Sequence, residues 1–208
     1  MKNDFDVVII GGGLAGLCNA IHLSKFGKKV LLIEKNNYPK HKVCGEFISN
    51  EVLPYLNDLD LDIESLQPTK INKTLLSTHS GKTIASNLPL GGFGISRYTL
   101  DNYLFNNFIS LGGKVVKNTI NKIDFSKDLF SILTQSNEIY TSKIVLGAFG
   151  KRSNLDIELN RKFIQQKSPW LAVKAHYAGN FPNNIVGLHN FKGGYCGVSK
   201  VENDAINI

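Results

Sequence analysis

No apolar run in this chain of 208 residues approaches the roughly 20 residues that a membrane-spanning helix requires. The apolar stretch Val7 to Ile10 follows Asp4 and Asp6 rather than a basic segment, so neither a signal peptide nor an anchor is expected. Cysteine is scarce. Cys18, Cys44 and Cys196 are odd in number and lack C-x-x-C spacing, which excludes a disulfide framework and a closed zinc site and points to a reducing, cytoplasmic setting. The histidines at 22, 41, 79, 176 and 189 show no metal-ligand spacing, so no metal is assigned. His176 and His189 stand where they can pair across strands, although inert strand histidines are commoner. The chain contains neither an internal repeat nor a low-complexity tract.

What is present is ordinary globular chemistry. With 42% hydrophobic and 20% charged residues, the chain can bury a core and forms one large domain or two small ones. The net charge of +7 raises the question of nucleic acid, but the lysines are scattered singly, with one short cluster at Lys35, Lys40, His41 and Lys42. No helix carries a basic stripe interleaved with aromatics, so no nucleic-acid partner is expected. The charge suits anionic cofactors and is compatible with peripheral membrane association.

The N-terminus reads strand, tight turn, helix, strand. Phe5 to Ile10 is short and β-branched, and Gly11-Gly-Gly-Leu-Ala-Gly16 breaks it. Leu14, Leu17, Cys18 and Ile21 then recur at helical spacing, and Gly27 stands where a left-handed residue ends helices. Lys29 to Glu34 is the second strand, which makes a right-handed βαβ unit. An irregular loop follows through Pro39 and Val43-Cys-Gly-Glu46, and then a short helix from about Ser49 to Leu59. Thr74 to His79 and Lys82 to Ser86 read as a hairpin turning at Ser80-Gly81. Tyr98 to Leu111 is a helix with Leu100, Leu104, Phe108 and Leu111 on one face. Strands are expected at Lys114 to Lys117, near Asn121 to Phe125, Phe130 to Thr134 and Glu138 to Leu146. Beyond Pro169 they are expected at Trp170 to Tyr177, Ile185 to Asn190 and Gly194 to Lys200, with Val201 to Asp204 as a turn before a last strand from Ala205.

Gly11-x-Gly13-x-x-Gly16 carries the strongest chemical signal. The first glycine allows the tight turn, the second lets a pyrophosphate approach the backbone, and the third lets the helix pack on the strand. The helix amides then face the anion. Glu34, at the end of the next strand, is placed to accept from a ribose hydroxyl and to repel a 2'-phosphate, so FAD or NAD is expected and NADP disfavoured in this site. Tyr38 and Lys42 have the Tyr-x-x-x-Lys spacing of short-chain NAD dehydrogenases, but Pro39 between them forbids the helix that chemistry needs. A dinucleotide motif at the extreme N-terminus of an insertion-rich chain points to FAD.

The chain resembles the superfamily of FAD-dependent monooxygenases, halogenases and geranylgeranyl reductases. The resemblance rests on the Gly11 to Glu34 unit, the Pro39-Lys-His-Lys-Val-Cys-Gly-Glu46 loop, Gly94-Ile-Ser-Arg97 before a helix with Asp101 and Leu104, and Leu146-Gly-Ala-Phe-Gly-Lys-Arg-Ser153. Cys44-Gly45-Glu46 is more like the geranylgeranyl reductase branch. The resemblance implies an α/β fold: a three-layer, Rossmann-like FAD/NAD(P)-binding domain over residues 1–160, with a hairpin insertion at about 65–95. Residues 161–208 would begin an inserted antiparallel β substrate domain. It implies cofactor contacts from Gly11, Gly13, Leu14, Ala15, Gly16, Glu34 and Lys35, from Lys42, Cys44, Gly45 and Arg97, and from Gly147, Ala148 and Gly150. Arg97 would reach the FAD phosphate or adenosine. Cys44 and Glu46 are the catalytic candidates, although Cys44 reads equally as a small packed loop residue and Glu46 more readily as a solvated surface carboxylate. No Gly-Asp element follows Arg152, so a truncated flavoprotein is expected. The implied activity is transfer of electrons from NAD(P)H through FAD to a hydrophobic small molecule. A monooxygenase and an inactive dinucleotide-binding remnant are the alternatives.

Overall fold

Short β-branched runs alternating with amphipathic helices set the architecture of the computed structural model, which describes residues 5–151, 153–166 and 168–208. The first third contains β1 (Val7–Ile10), α1 (Leu14–Lys25), β2 (Val30–Glu34), β3 (Phe47–Ser49), α2 (Leu53–Asp58) and β4 (Thr69–Ser77). There follow β5 (Thr83–Gly94), α3 (Arg97–Ser110), β6 (Lys114–Lys117), β7 (Ile120–Ser126), β8 (Leu129–Thr134), β9 (Ile139–Ser142), β10 (Ile144–Gly147) and α4 (Asn154–Glu158). The chain ends in β11 (His176–Tyr177), β12 (Ile185–Phe191), β13 (Gly194–Lys200) and β14 (Ile206–Asn207).

The chain divides into two units, neither continuous in sequence. Residues 1–40 and 101–171 form one; residues 41–100 and 172–208 form the other. The sequence reading places residues 65–95 as a decoration of the first domain. Here that segment belongs with the C-terminal strands, because β4 pairs in parallel with β12 and the two segments share one sheet.

In the first unit, β10, β1, β2 and β6 lie side by side, all parallel. Every residue of β1 and β2 is buried, the signature of strands covered on both faces. Val8, Ile10, Leu31 and Ile33 point to one face, where the β7-β8-β9 meander and α4 cover them through Ile120, Ile132 and Leu155. The buried Leu17, Ala20 and Ile21 of α1 pack on the sheet's other face. These are the three expected layers: helix, parallel sheet and antiparallel meander. Glu138 to Leu146 is two strands rather than one. β9 closes the meander and β10 joins the parallel sheet, with Lys143 between them. Leu111 is 47% exposed, because α3 ends at Ser110 before that position can reach the core with Leu104 and Phe108.

The second unit is a seven-stranded sheet in the order β11-β14-β13-β12-β4-β5-β3, antiparallel except at β12–β4. The hairpin strands run further than their local pattern suggests, because β3 and β12 extend the pairing beyond the turn. The strand expected over Trp170 to Tyr177 shrinks to His176–Tyr177. His176 and Tyr177 pair with β14 and Ala175 exchanges backbone hydrogen bonds with Ile208, whereas Trp170, Leu171 and Val173 are 68%, 89% and 80% exposed.

Candidate functional site

The parallel order of β1, β2 and β10 brings Ile10, Glu34 and Gly147 to the same carboxyl edge of the sheet, the edge beyond which open α/β sheets bind ligands. Residues distant in sequence thereby meet. Gly11 leaves β1 at φ +102°, and a Cβ on it would strike the backbone of Ala148 and Phe149. The Ala148 amide donates to the Ile10 carbonyl at 2.8 Å, which locks the Gly147–Gly150 turn against the glycine loop. A Cβ on Gly16 would collide with the Gly11 carbonyl oxygen, so close packing of α1 under the loop requires glycine there too. Tyr38 to Lys42 is not helical, in keeping with Pro39.

The amino end of α1 is built for an anion. Its N-cap is Gly13, with no side-chain cap and no acidic residue in the first turn, and Gly13, Leu14 and Ala15 are all at least partly accessible. The first-turn amides therefore lack a side-chain acceptor where an incoming pyrophosphate would supply one. Those features and the close Gly147–Gly150 turn fit the pyrophosphate and adenosine end of a dinucleotide.

Glu34 is more engaged than its sequence position suggests. It is 6% exposed. One carboxylate oxygen, Oε2, accepts from the Gly12 amide at 2.7 Å. The other, Oε1, accepts from the Asn36 amide at 2.9 Å, Asn36 Nδ2 at 2.6 Å and Lys40 Nζ at 2.7 Å. Burial pushes this carboxyl up, but the Lys40 ammonium and the two amides outweigh it and hold the group at about 2. The Tyr38 hydroxyl donates to the Gly12 carbonyl, and its ring stacks on Phe105 with centroids 4.4 Å apart. Tyr38 and Lys40 are thus part of the loop's setting, which sequence reasoning missed. Their position within six residues of Glu34 was the available signal.

Lys35 is exposed at the same strand end. The remaining candidates, Lys42, Cys44, Gly45, Glu46 and Arg97, lie in the second unit. Cys44 is partly buried, and its sulfur accepts from the Glu46 amide at 3.5 Å. Arg97, partly buried, opens α3, and its amide donates to Glu46 Oε1 at 2.7 Å. Glu46 is not a solvated carboxylate. It is 1% exposed and also bonded to Lys174 and His176, because the C-terminal segment folds back beside the loop. Lys174 and His176, two apart in extended chain, share one face; that alternation was their only sequence signal. His176 and His189 do not pair with each other, since His189 Nδ1 meets Ser77 Oγ across β12–β4 at 2.9 Å. Arg152 lies outside the described residues. No cluster of His, Cys, Asp and Glu among the described residues could hold a metal, and no helix there is long and apolar enough to cross a membrane. Burial, reinforced by the charge of Asp101, pushes the Cys18 thiol up to about 11, so it is a packing residue rather than a nucleophile.

Comparison with known proteins agrees with this geometry. The profile of the FAD dependent oxidoreductase family (DAO) matches residues 6–50. A digeranylgeranylglycerophospholipid reductase from Methanococcus aeolicus is 26% identical over 161 residues, covering 74% of this chain and 40% of the relative. The FAD-dependent monooxygenase ntnA of a Nectria species is 28% identical over 206 residues, covering 90% of this chain and 27% of the relative. Among solved structures, p-nitrophenol 4-monooxygenase PnpA from Pseudomonas putida superimposes with a TM-score of 0.78 at 12% identity, covering 100% of this chain and 57% of that one. The chain spans less than half the length of these curated relatives and little more than half of that structure.

Proposed function

We propose that this chain is the FAD-binding portion of a flavin-dependent oxidoreductase of the geranylgeranyl reductase type, moving electrons from NAD(P)H through FAD to a hydrophobic small molecule. The observation that carries the reading is the convergence of the Gly11–Gly16 loop, Glu34 and the Gly147–Gly150 turn at the carboxyl edge of a parallel sheet whose strands β1 and β2 are fully buried. When bound, FAD would supply the redox chemistry; the chain's own residues hold and orient it. The first-turn amides of α1 would meet the pyrophosphate, Glu34 a ribose hydroxyl, and the backbone of Ala148 the adenosine side. Lys35, Lys42, Cys44, Gly45 and Arg97 remain proposed contacts on the strength of the family resemblance. The basic surface would suit a substrate delivered from an anionic membrane face, in a cytoplasmic setting.

Branch preference rests on Cys44-Gly45-Glu46 and on the similarity to a lipid reductase. A monooxygenase reading is favoured by the similarity that extends over 90% of this chain. Isothermal titration of the purified chain with FAD and with NAD tests the cofactor assignment. FAD binding is expected, and NAD binding without FAD binding would overturn it. In the whole protein, substrate reduction without oxygen would mark a reductase, and substrate-dependent oxygen uptake a monooxygenase.

A further inference from the structure

The second unit carries its charge unevenly. Its Asp and Glu residues are confined to 46–64 and 202–204, segments that precede β4 and follow β13. None lies on β4, β5, β12 or β13 or in the turns that join β4 to β5 and β12 to β13. Lys70 and Lys200, on the strand ends nearest those acidic segments, pair with Glu64 and Asp204. Lys73, Lys82 and Lys192 form no ion pair with a described residue. Because β4 and β12 run parallel, with Ser77 opposite His189, the turns that follow them lie at one end of the sheet. The Asn190 side-chain amide donates to the Ser77 carbonyl at 2.9 Å and ties the two turns together. β4 is nine residues long, so about 30 Å of strand separates these turns from the acidic segment before it. Counting His79 and His189 as neutral, the turn end is positive through Lys73, Lys82 and Lys192, and protonation of either ring only adds to that.

Between the turns lies an open depression of about 500 Å³ lined by Thr78, His79, Asn190, Phe191 and Lys192. Lys82 and Lys192 are exposed. So are three large apolar side chains within two residues of the turns: Phe191, Tyr195 and Ile84 are 56%, 67% and 65% exposed. Strand alternation puts them on opposite faces. Phe191, opposite Gly194, stands on one face, whereas Tyr195, opposite Asn190, shares the other with Leu188, Leu76 and Ile84.

We propose that these paired turns are a membrane-docking tip that engages an anionic bilayer, with Lys82 and Lys192 at the lipid phosphates and Phe191, Tyr195 and Ile84 dipped into the interface. Charge complementarity sets the sign of the partner, since a basic tip without a carboxylate is attracted to a negative lipid surface. The placement of the apolar groups sets its class. Side chains on both faces of the hairpin ends call for an occupant that surrounds them, which a fluid interface does and the surface of a folded acidic protein does not. Lysine suits the same partner, because a compact charge on a flexible stem follows a mobile headgroup layer, whereas a fixed carboxylate or a base edge favours the planar fork of arginine. The polar turn backbones stay in the hydrated headgroup layer, so none of their groups is stranded in hydrocarbon.

This surface does not depend on the flavin reading, and its test is run on the cofactor-free chain, so either can fail without the other. The chain should sediment with vesicles of equimolar phosphatidylserine and phosphatidylcholine, and less with phosphatidylcholine alone. Lys82→Gln combined with Lys192→Gln should weaken that binding about tenfold or more. Lys28→Gln combined with Lys127→Gln removes the same charge from exposed positions of the first unit and should leave binding near wild type. Insertion is read directly by moving the single tryptophan: in Trp170→Phe with Tyr195→Trp, brominated lipid should quench the emission and the spectrum should shift to the blue. Absence of vesicle binding, equal loss in the two lysine pairs, or no quenching at position 195 would each overturn the assignment. Capture of polyglutamate or duplex DNA without affinity for the vesicles would overturn it in favour of a different polyanion.

Discussion

Glu34→Gln probes the best-defined interaction of the glycine loop. The substitution keeps the side chain's shape but removes the charge that binds Lys40 and presents an amide N–H where two backbone amides and Asn36 Nδ2 require acceptors. The carboxyl is held at about 2 against an ordinary 4.5. That difference corresponds to about 3 kcal/mol of stability at neutral pH, an upper figure given that Lys40 retains some access to water. The sign follows from the direction. A carboxyl whose folded value is depressed stabilises fully above its unfolded value, so the contribution is complete above about pH 5 and is lost as pH falls toward 2. Urea unfolding followed by circular dichroism should therefore show Glu34→Gln less stable by about 2–3 kcal/mol at pH 7, equivalent to about 1 M in midpoint. By pH 3 the gap should shrink to less than half. Equal midpoints at pH 7, or a gap unchanged at pH 3, would refute the claim that Glu34 is ionised and fully bonded in the folded chain.

Gly11→Val and Gly13→Val should separate architecture from binding. The first meets the Ala148 backbone and an unfavourable φ, and is expected to destabilise by about 3 kcal/mol or more. The second should leave the thermal midpoint near wild type while abolishing FAD binding by titration calorimetry, and retained FAD affinity would reduce the motif to a structural turn. Glu202 accepts from the Ser96 amide at 2.7 Å, from the Ser96 hydroxyl and from Thr99 Oγ1 at 2.5 Å, and so anchors the start of α3. Burial pushes its carboxyl up, yet the Ser96 and Thr99 donors bring it below the usual range. Glu202→Gln should thus cost about 1–3 kcal/mol in urea unfolding at neutral pH, with the penalty easing as acid protonates the wild-type carboxyl.

Local sterics and periodicity determined, from sequence alone, the glycine loop, the first βαβ unit, the hairpin and α3. Each depends on residues within about one strand or helix of one another, where backbone freedom and side-chain spacing act directly. The glycine pattern also specified how tightly the loop packs, because only a missing Cβ allows both the Ala148 backbone and the Gly11 carbonyl so near. Tertiary structure decided the rest. Whether Glu138 to Leu146 is one strand or two depends on which sheet offers a free edge, and the isolated pattern is the same in either case. Trp170 to Val173 reads as a strand but finds no partner, and an extended segment without one makes no ladder. Glu46 shows the limit most clearly. Its sequence neighbours are Gly45 and Phe47, whereas the groups that bury and bond it, Lys174 and His176, lie 128 and 130 positions away. A carboxylate's state is set by the charges and donors within a few ångströms, and only the return of the chain through β14 and β11 brings those groups there.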